Sequence, residues 1–242
     1  MKKIIILALV SICAFIFFSC KGDTGDKGKT GATGPSGADG NIVIMFQKGV
    51  YPSSGYTEVK DTGIINNTPT NNYGSCGSNG AGAYPAYIAT RSLIKFDVSS
   101  IIPSNVIVTK AELVLNLNQI YGTNTYTAYK ITNDWVEGTV CGSTSPGTAT
   151  WNNYGAGSWT TPGGDFDSTP VSNSLIISDS APQQSITFSL NPAMVQQWIS
   201  NPSTNYGVLI KADNETVINN SIFWNTKEAV NSPLLRIYYR LP

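Results

Sequence analysis

Apolar and polar positions alternate most regularly in Arg91–Ser100, RSLIKFDVSS, where Leu93, Lys95 and Asp97 interleave with Ile94, Phe96 and Val98. A strand sends successive side chains to opposite faces, so Ile94, Phe96 and Val98 line one buried face. Ala111–Asn118, AELVLNLN, repeats the pattern, with Leu113, Leu115 and Leu117 on one side and Glu112, Val114 and Asn116 on the other. Pro103 and the β-branched run Val106–Val108 lie between the two. Asn41–Gln47, Asp61–Ile65, Thr125–Ile131, Ser185–Leu190, Tyr206–Lys211 and Ser221–Trp224 read as further strands. Leu234–Tyr239 closes the set, alternating through Leu235, Ile237 and Tyr239. One helix is expected after Asn191, with Asn191 as its cap and Pro192 at its first position. Met194, Val195, Trp198 and Ile199 share its apolar face, and Asn201-Pro202 ends it. Strands this regular need a second layer to bury against, which predicts an all-β sandwich.

Between these elements the composition changes. Asn66–Gly82 is rich in Asn, Gly, Ser and Thr and reads as a surface loop. Residues 139–182 also read mostly as loop, and a loop that long inside a domain is functional or braced. Asn-Tyr-Gly recurs at 72–74, 153–155 and 205–207, which suits turns next to strands; the uneven spacing argues against a true repeat.

The N-terminus is of another kind. Lys2 and Lys3 precede the apolar run Ile4–Phe18, the layout of an export signal. It ends in Ser19-Cys20 without an Ala-x-Ala site, and so resembles a bacterial lipoprotein signal with Cys20 as the lipidated first residue of the mature chain. Phe17 departs from the leucine usual in that pattern. The plainer alternative is an ordinary signal peptide with an incidental cysteine. Glycine then falls at 22, 25, 28, 31, 34, 37 and 40, a strict G-X-Y period with Pro35 its one proline. Such a tract either trimerises as a short collagen helix or serves as a hydrated stalk. The expected organisation is therefore a signal over 1–20, a spacer over 21–40 and a β-sandwich domain over 41–242. Nothing after residue 20 is apolar enough to span a bilayer.

Composition narrows the function. Lys+Arg and Asp+Glu both number 15, charged residues are 12%, and there is no basic stripe of the kind nucleic acid demands. The chain has no histidine, which removes the usual neutral-pH base and the commonest metal ligand. With Cys13 lost in the signal and Cys20 committed to lipid, Cys76 and Cys141 remain, and an exported chain permits them to form a disulfide.

The stretch RSLIKFDVSSIIPSNVIVTKAELVLNL resembles the DNRLRE-type domain family, which includes carbohydrate-binding module family 96. The resemblance continues through NDWVEGT (133–139), TATWNNYG (148–155), WTTPGGDF (159–166), FSLNPAMVQQWISNPSTNYGVLIKA (188–212) and NSPLLRIYY (231–239). It implies a jelly-roll-like β-sandwich on a secreted or surface protein. It also implies non-catalytic binding of polysaccharide, acidic polysaccharide included. The slightly acidic balance from residue 41 onward departs from what a polyanion groove requires.

Sugar-binding modules offer aromatic faces to the apolar face of a pyranose. Trp135, Trp151, Tyr154 and Trp159, in polar glycine-rich surroundings, are the candidates; the alternative is that they brace the long loops from inside. Asp165 and Asp167, two apart in an extended loop, are candidates for Ca²⁺ or for ordinary turn carboxylates. Arg91 and Lys95 share a strand face and suit a uronate or, equally, neighbouring carboxylates. Asp134 and Glu137 are the pair to read as general acid and base if the chain is an enzyme. The expectation is a cell-surface, lipid-anchored glycan-binding or adhesion module on a bacterial outer membrane or surface. Its alternatives are a structural surface protein without a sugar ligand and, more remotely, a polysaccharide-active enzyme. The partners implied are polysaccharide, the bilayer and two further copies of the chain.

Overall fold

A computed structural model describes residues 41–85, 87–180 and 185–242. The signal, Cys20 and the G-X-Y tract lie outside the described residues. The fold is all-β with one helix. Its strands are β1 (Ile42–Phe46), β2 (Val59–Ile65), β3 (Asn71–Asn72), β4 (Ser78–Tyr84), β5 (Tyr87–Phe96), β6 (Ile107–Tyr121) and β7 (Thr123–Ile131). These are followed by β8 (Ser143–Thr144), β9 (Phe166–Pro170), β10 (Leu175–Ser178), β11 (Ser185–Leu190), β12 (Val208–Ala212), β13 (Asn220–Asn225) and β14 (Leu234–Arg240). The helix α1 (Pro192–Ser200) lies between β11 and β12, and a 3₁₀ turn, Pro202–Thr204, follows it.

Strand β6 joins the layers. Its first part lies between β14 and β11, so that Leu113 faces both Leu235 and Phe188. Its last residues pair instead with β13, where Ile120 meets Ile222. From there the order runs β13, β4, β5, β12, β7, β10, with β2 on β5 and β9 on β7. The path folds over itself, and both ends contribute to one core. Ala111, Leu113, Leu115 and Leu117 of β6 share that core with Ile94 and Phe96 of β5 and Val208, Ile210 and Ala212 of β12. The helix adds Met194, Val195, Trp198 and Ile199 to the same core, and the Asn191 side chain accepts from Ala193 N at 2.9 Å to cap it.

The structure departs from the loop expected over 66–82, because this stretch contains most of β4, SNGAGAY, in the middle of the sheet. Period-two patterning cannot reveal a strand whose central side chains are hydrogens and methyls. The small residues are demanded by close packing: a Cβ on Gly80 would collide with the Ile222 carbonyl oxygen. Likewise the stretch 139–182 contains β8 and β9, whose mostly exposed residues show no apolar face to read, and the four-residue β10, whose Leu175 and Ile177 pack on the main core with Ile176 exposed. Val106–Val108 belongs largely to the start of β6, which runs to Tyr121.

Candidate functional site

The sheet built on β5, β12 and β7 is buried on both faces. On β5, Ile94 and Phe96 enter the main core, while Leu93 points to the other side. On β12, Leu209 does the same between Val208 and Ile210. A second apolar cluster forms there from Ile64, Leu93, Ile131, Leu209, Trp135, Ala149 and Trp159. Residues 132–165 therefore act as a cover on the outer face of the sheet, and the cover is held by its aromatic residues.

Trp135 is 1% exposed and donates its indole N–H to the Tyr206 carbonyl at 2.9 Å. Trp159 is 4% exposed and donates to the Thr150 carbonyl at 2.9 Å. A buried tryptophan with its one donor satisfied is an internal brace, and neither ring offers a face to solvent. Trp151 and Tyr154 are half-buried. Tyr154 meets Trp159 edge-on, with ring centroids 5.6 Å apart.

Arg91 ties the cover to the sheet. Its guanidinium lies over the Trp151 ring at 5.0 Å and over Phe166 at 5.7 Å. Its Nε and Nη2 donate to the two carboxylate oxygens of Glu215 at 2.9 and 2.8 Å, and Nη1 donates to the Gly163 carbonyl at 2.8 Å. This two-point geometry suits a planar guanidinium and fixes both groups. Lys95 pairs with Asp134 at 3.1 Å. Arg91 and Lys95 are thus engaged with carboxylates of the chain itself, and the face between them is covered at Leu93.

Two of the three Asn-Tyr-Gly copies are the same device. Asn72 accepts from Gly74 N at 3.1 Å and donates to the Glu137 and Ala149 carbonyls. Asn205 accepts from Gly207 N at 3.1 Å and donates to the Phe96 carbonyl at 2.8 Å. Each buried amide closes a tight turn and staples it to a distant backbone segment. Gly207 has φ +82°, and a Cβ there would run into the Ile94 carbonyl oxygen, so no other residue fits.

The carboxylates are also committed. Asp165 accepts from Asn133 Nδ2 and Thr160 N, both at 2.8 Å, and from Thr161 N at 3.0 Å. Burial works against its charge, yet the Thr160 and Thr161 hydrogen bonds outweigh it and hold Asp165 below the usual carboxylate range. Asp167 accepts from Thr169 N at 2.9 Å, which also lowers its pKa. Both serve as turn braces, and no cluster of three or more His, Cys, Asp or Glu capable of holding a metal occurs among the described residues. Asp165 is held by three donors and Asp167 by one, the arrangement of turn carboxylates.

Glu137 belongs to a buried group. It accepts from Asp61 N at 2.6 Å, and Lys227 Nζ lies 3.4 Å from it. Asp61 is 1% exposed and accepts from Lys227 N at 2.7 Å. Burial pushes the Asp61 carboxyl up to about 7, and raises Glu137 as well. Asp134 is instead exposed and ion-paired, so the two residues considered as acid and base occupy unlike environments.

Clefts open along the rim of the cover. One of ≈ 370 Å³ is bounded by Arg91, Phe166, Asp165 and the threonines 160 and 161. Another of ≈ 380 Å³ is bounded by Lys48, Lys60, Lys95 and Lys227 together with Glu58, Asp97 and Glu137. A larger one of ≈ 590 Å³ lies beside the Cys76–Cys141 disulfide, whose Cα atoms are 4.9 Å apart. Its walls come from β2, β3, β4, β5, β6 and β13 and from the loop that carries Cys141.

Residues 52–161 match the model of carbohydrate-binding module family 96. No curated protein matches the chain. The matched stretch runs from the turn before β2 through Trp159, and includes most of the cover. It also includes every residue lining the cleft beside the disulfide except Phe223. Glu215, Tyr73, Gln119 and Phe223 did not stand out in the sequence, since no spacing links positions brought together by six strands. The repeated Asn-Tyr-Gly was the one visible signal for the staples.

Proposed function

We propose that the chain is a non-catalytic glycan-binding module, displayed at a bacterial cell surface or outer membrane. In this reading Cys20 carries the lipid, residues 21–40 form the spacer or a trimerising stalk, and residues 41–242 are a jelly-roll-like sandwich. The carrying observation is the coincidence of the family 96 match with the walls of the cleft beside the Cys76–Cys141 bridge. Of the four aromatic candidates, Trp151 and Tyr154 keep part of their surface exposed on the cover, while buried Trp135 and Trp159 fix the loop. No helix among the described residues is long and apolar enough to cross a membrane.

The second reading is a structural surface protein without a sugar ligand. The full engagement of Arg91, Trp135 and Trp159 within the fold favours it. A polysaccharide panel, with thermal melting of Trp151→Ala and Tyr154→Ala in parallel, separates the two. Saturable binding that is weakened in both variants while each still melts cooperatively, with no more than the small loss expected from uncovering Arg91, supports the glycan reading. Absence of saturable binding across the panel rejects it.

A further inference from the structure

We propose that the cleft beside the Cys76–Cys141 bridge takes an uncharged glycan unit. This rests on the glycan-binding reading and adds to it the ligand class. The cleft measures ≈ 590 Å³, within the roughly 300–1,000 Å³ usual for small-ligand sites. None of its lining side chains carries a formal charge. Three other clefts on the described surface each hold both cationic and anionic side chains. A uronate or sulfate ester seated here would shed hydration with no counter-charge to replace it.

The wall has what a neutral sugar needs. Half-buried Phe223 supplies aromatic surface and exposed Gln119 an amide, while Tyr73 is 8% exposed and the Asn71 amide already donates to the Gly142 carbonyl. Asn79 and Thr90 also line the cleft and are 5% and 2% exposed. Asn79 Nδ2 and Thr90 Oγ1 have no hydrogen-bond partner within the protein. Buried polar atoms are rarely left unmet, because each gives up its hydration with nothing in return. Sugar hydroxyls, or water held between them and the wall, satisfy an amide donor and a hydroxyl alike. Gly63 keeps the wall thin in front of Asn79, since a Cβ there would come within 3.0 Å of Asn79 Oδ1.

The test is calorimetric titration of the detergent-solubilised full chain with two sets of oligosaccharides. The neutral set contains gluco-, xylo-, manno- and galacto-oligosaccharides; the acidic set contains oligouronates and sulfated oligogalactans. The expected result is saturable binding of a neutral probe that added salt does not weaken. Gln119→Ala and Thr90→Val should each reduce its affinity by about fivefold, the equivalent of one hydrogen bond. Thr90→Val should leave the melting temperature unchanged or raised, since its hydroxyl has no partner to lose. Binding of the acidic set alone overturns the ligand class while leaving the glycan reading intact. Neutral binding indifferent to both variants overturns the assignment to this cleft. Binding of neither set overturns both.

Discussion

Replacing Asp61 by asparagine should make the protein more stable at neutral and alkaline pH. Asp61 is almost fully buried on β2, with Oδ2 accepting from Lys227 N and Oδ1 unpartnered. Glu137 and Glu228 add repulsion, while the Lys227 backbone bond and charge oppose the shift only in part. The result is a carboxyl moved from 3.8 to about 7, chiefly by burial. The folded state therefore keeps the proton over a range in which the unfolded chain has lost it. Stability from this group is complete below about pH 4 and declines until about pH 7. A shift of roughly three units at 1.36 kcal/mol per unit amounts to about 4 kcal/mol. The amide of the Asp61→Asn variant would keep an acceptor for Lys227 N and could not ionise. Urea unfolding of both proteins across this pH range should give equal stabilities at the acid end and a gap approaching that figure above pH about 7. Glu137 has a raised pKa too and repels Asp61, so the difference between the two proteins reports Asp61 together with that coupling. Parallel pH profiles for the two would refute the reasoning.

Three further outcomes are expected. Cys76→Ser with Cys141→Ser removes a bridge spanning a sequence separation of 65 and should lower stability by about 4 kcal/mol, read from denaturant midpoints. Trp159→Ala empties the second apolar cluster beneath the cover and should cost about 3–5 kcal/mol in a thermal melt, whereas Trp151→Ala, which uncovers one face of Arg91, should cost about 1 kcal/mol. The mature chain, extracted from membranes and weighed intact, should begin at Cys20 with acyl chains attached; an unmodified cysteine or cleavage elsewhere would remove the anchor from the proposal.

The elements with large side chains on a regular period were legible from the chain. Ile94, Phe96 and Val98, the leucines of β6, the Leu235–Ile237–Tyr239 ladder and the capped helix are where their patterns place them. Each of these decisions is local: one apolar face, one cap residue, one proline. The pairing of Cys76 with Cys141 was also reachable, because elimination left a single partner for each.

Other features depended on groups far apart in the chain. Leu93 and Leu209 look like ordinary alternation within their strands, yet they face a second core created only when residues 132–165 fold back over the sheet. The same cover turned Trp135 and Trp159 inward, although their neighbours are glycines and polar residues. Strand β4 carries no periodic signal because its role is to let neighbouring backbones approach. Arg91 could have met a ligand carboxylate; the fold supplies Glu215, 124 residues away, instead. Side-chain period and capping are properties of short segments and are written into the residues. Clefts, stapled turns and buried charge arise from long-range antiparallel pairing, and tertiary structure alone decides them.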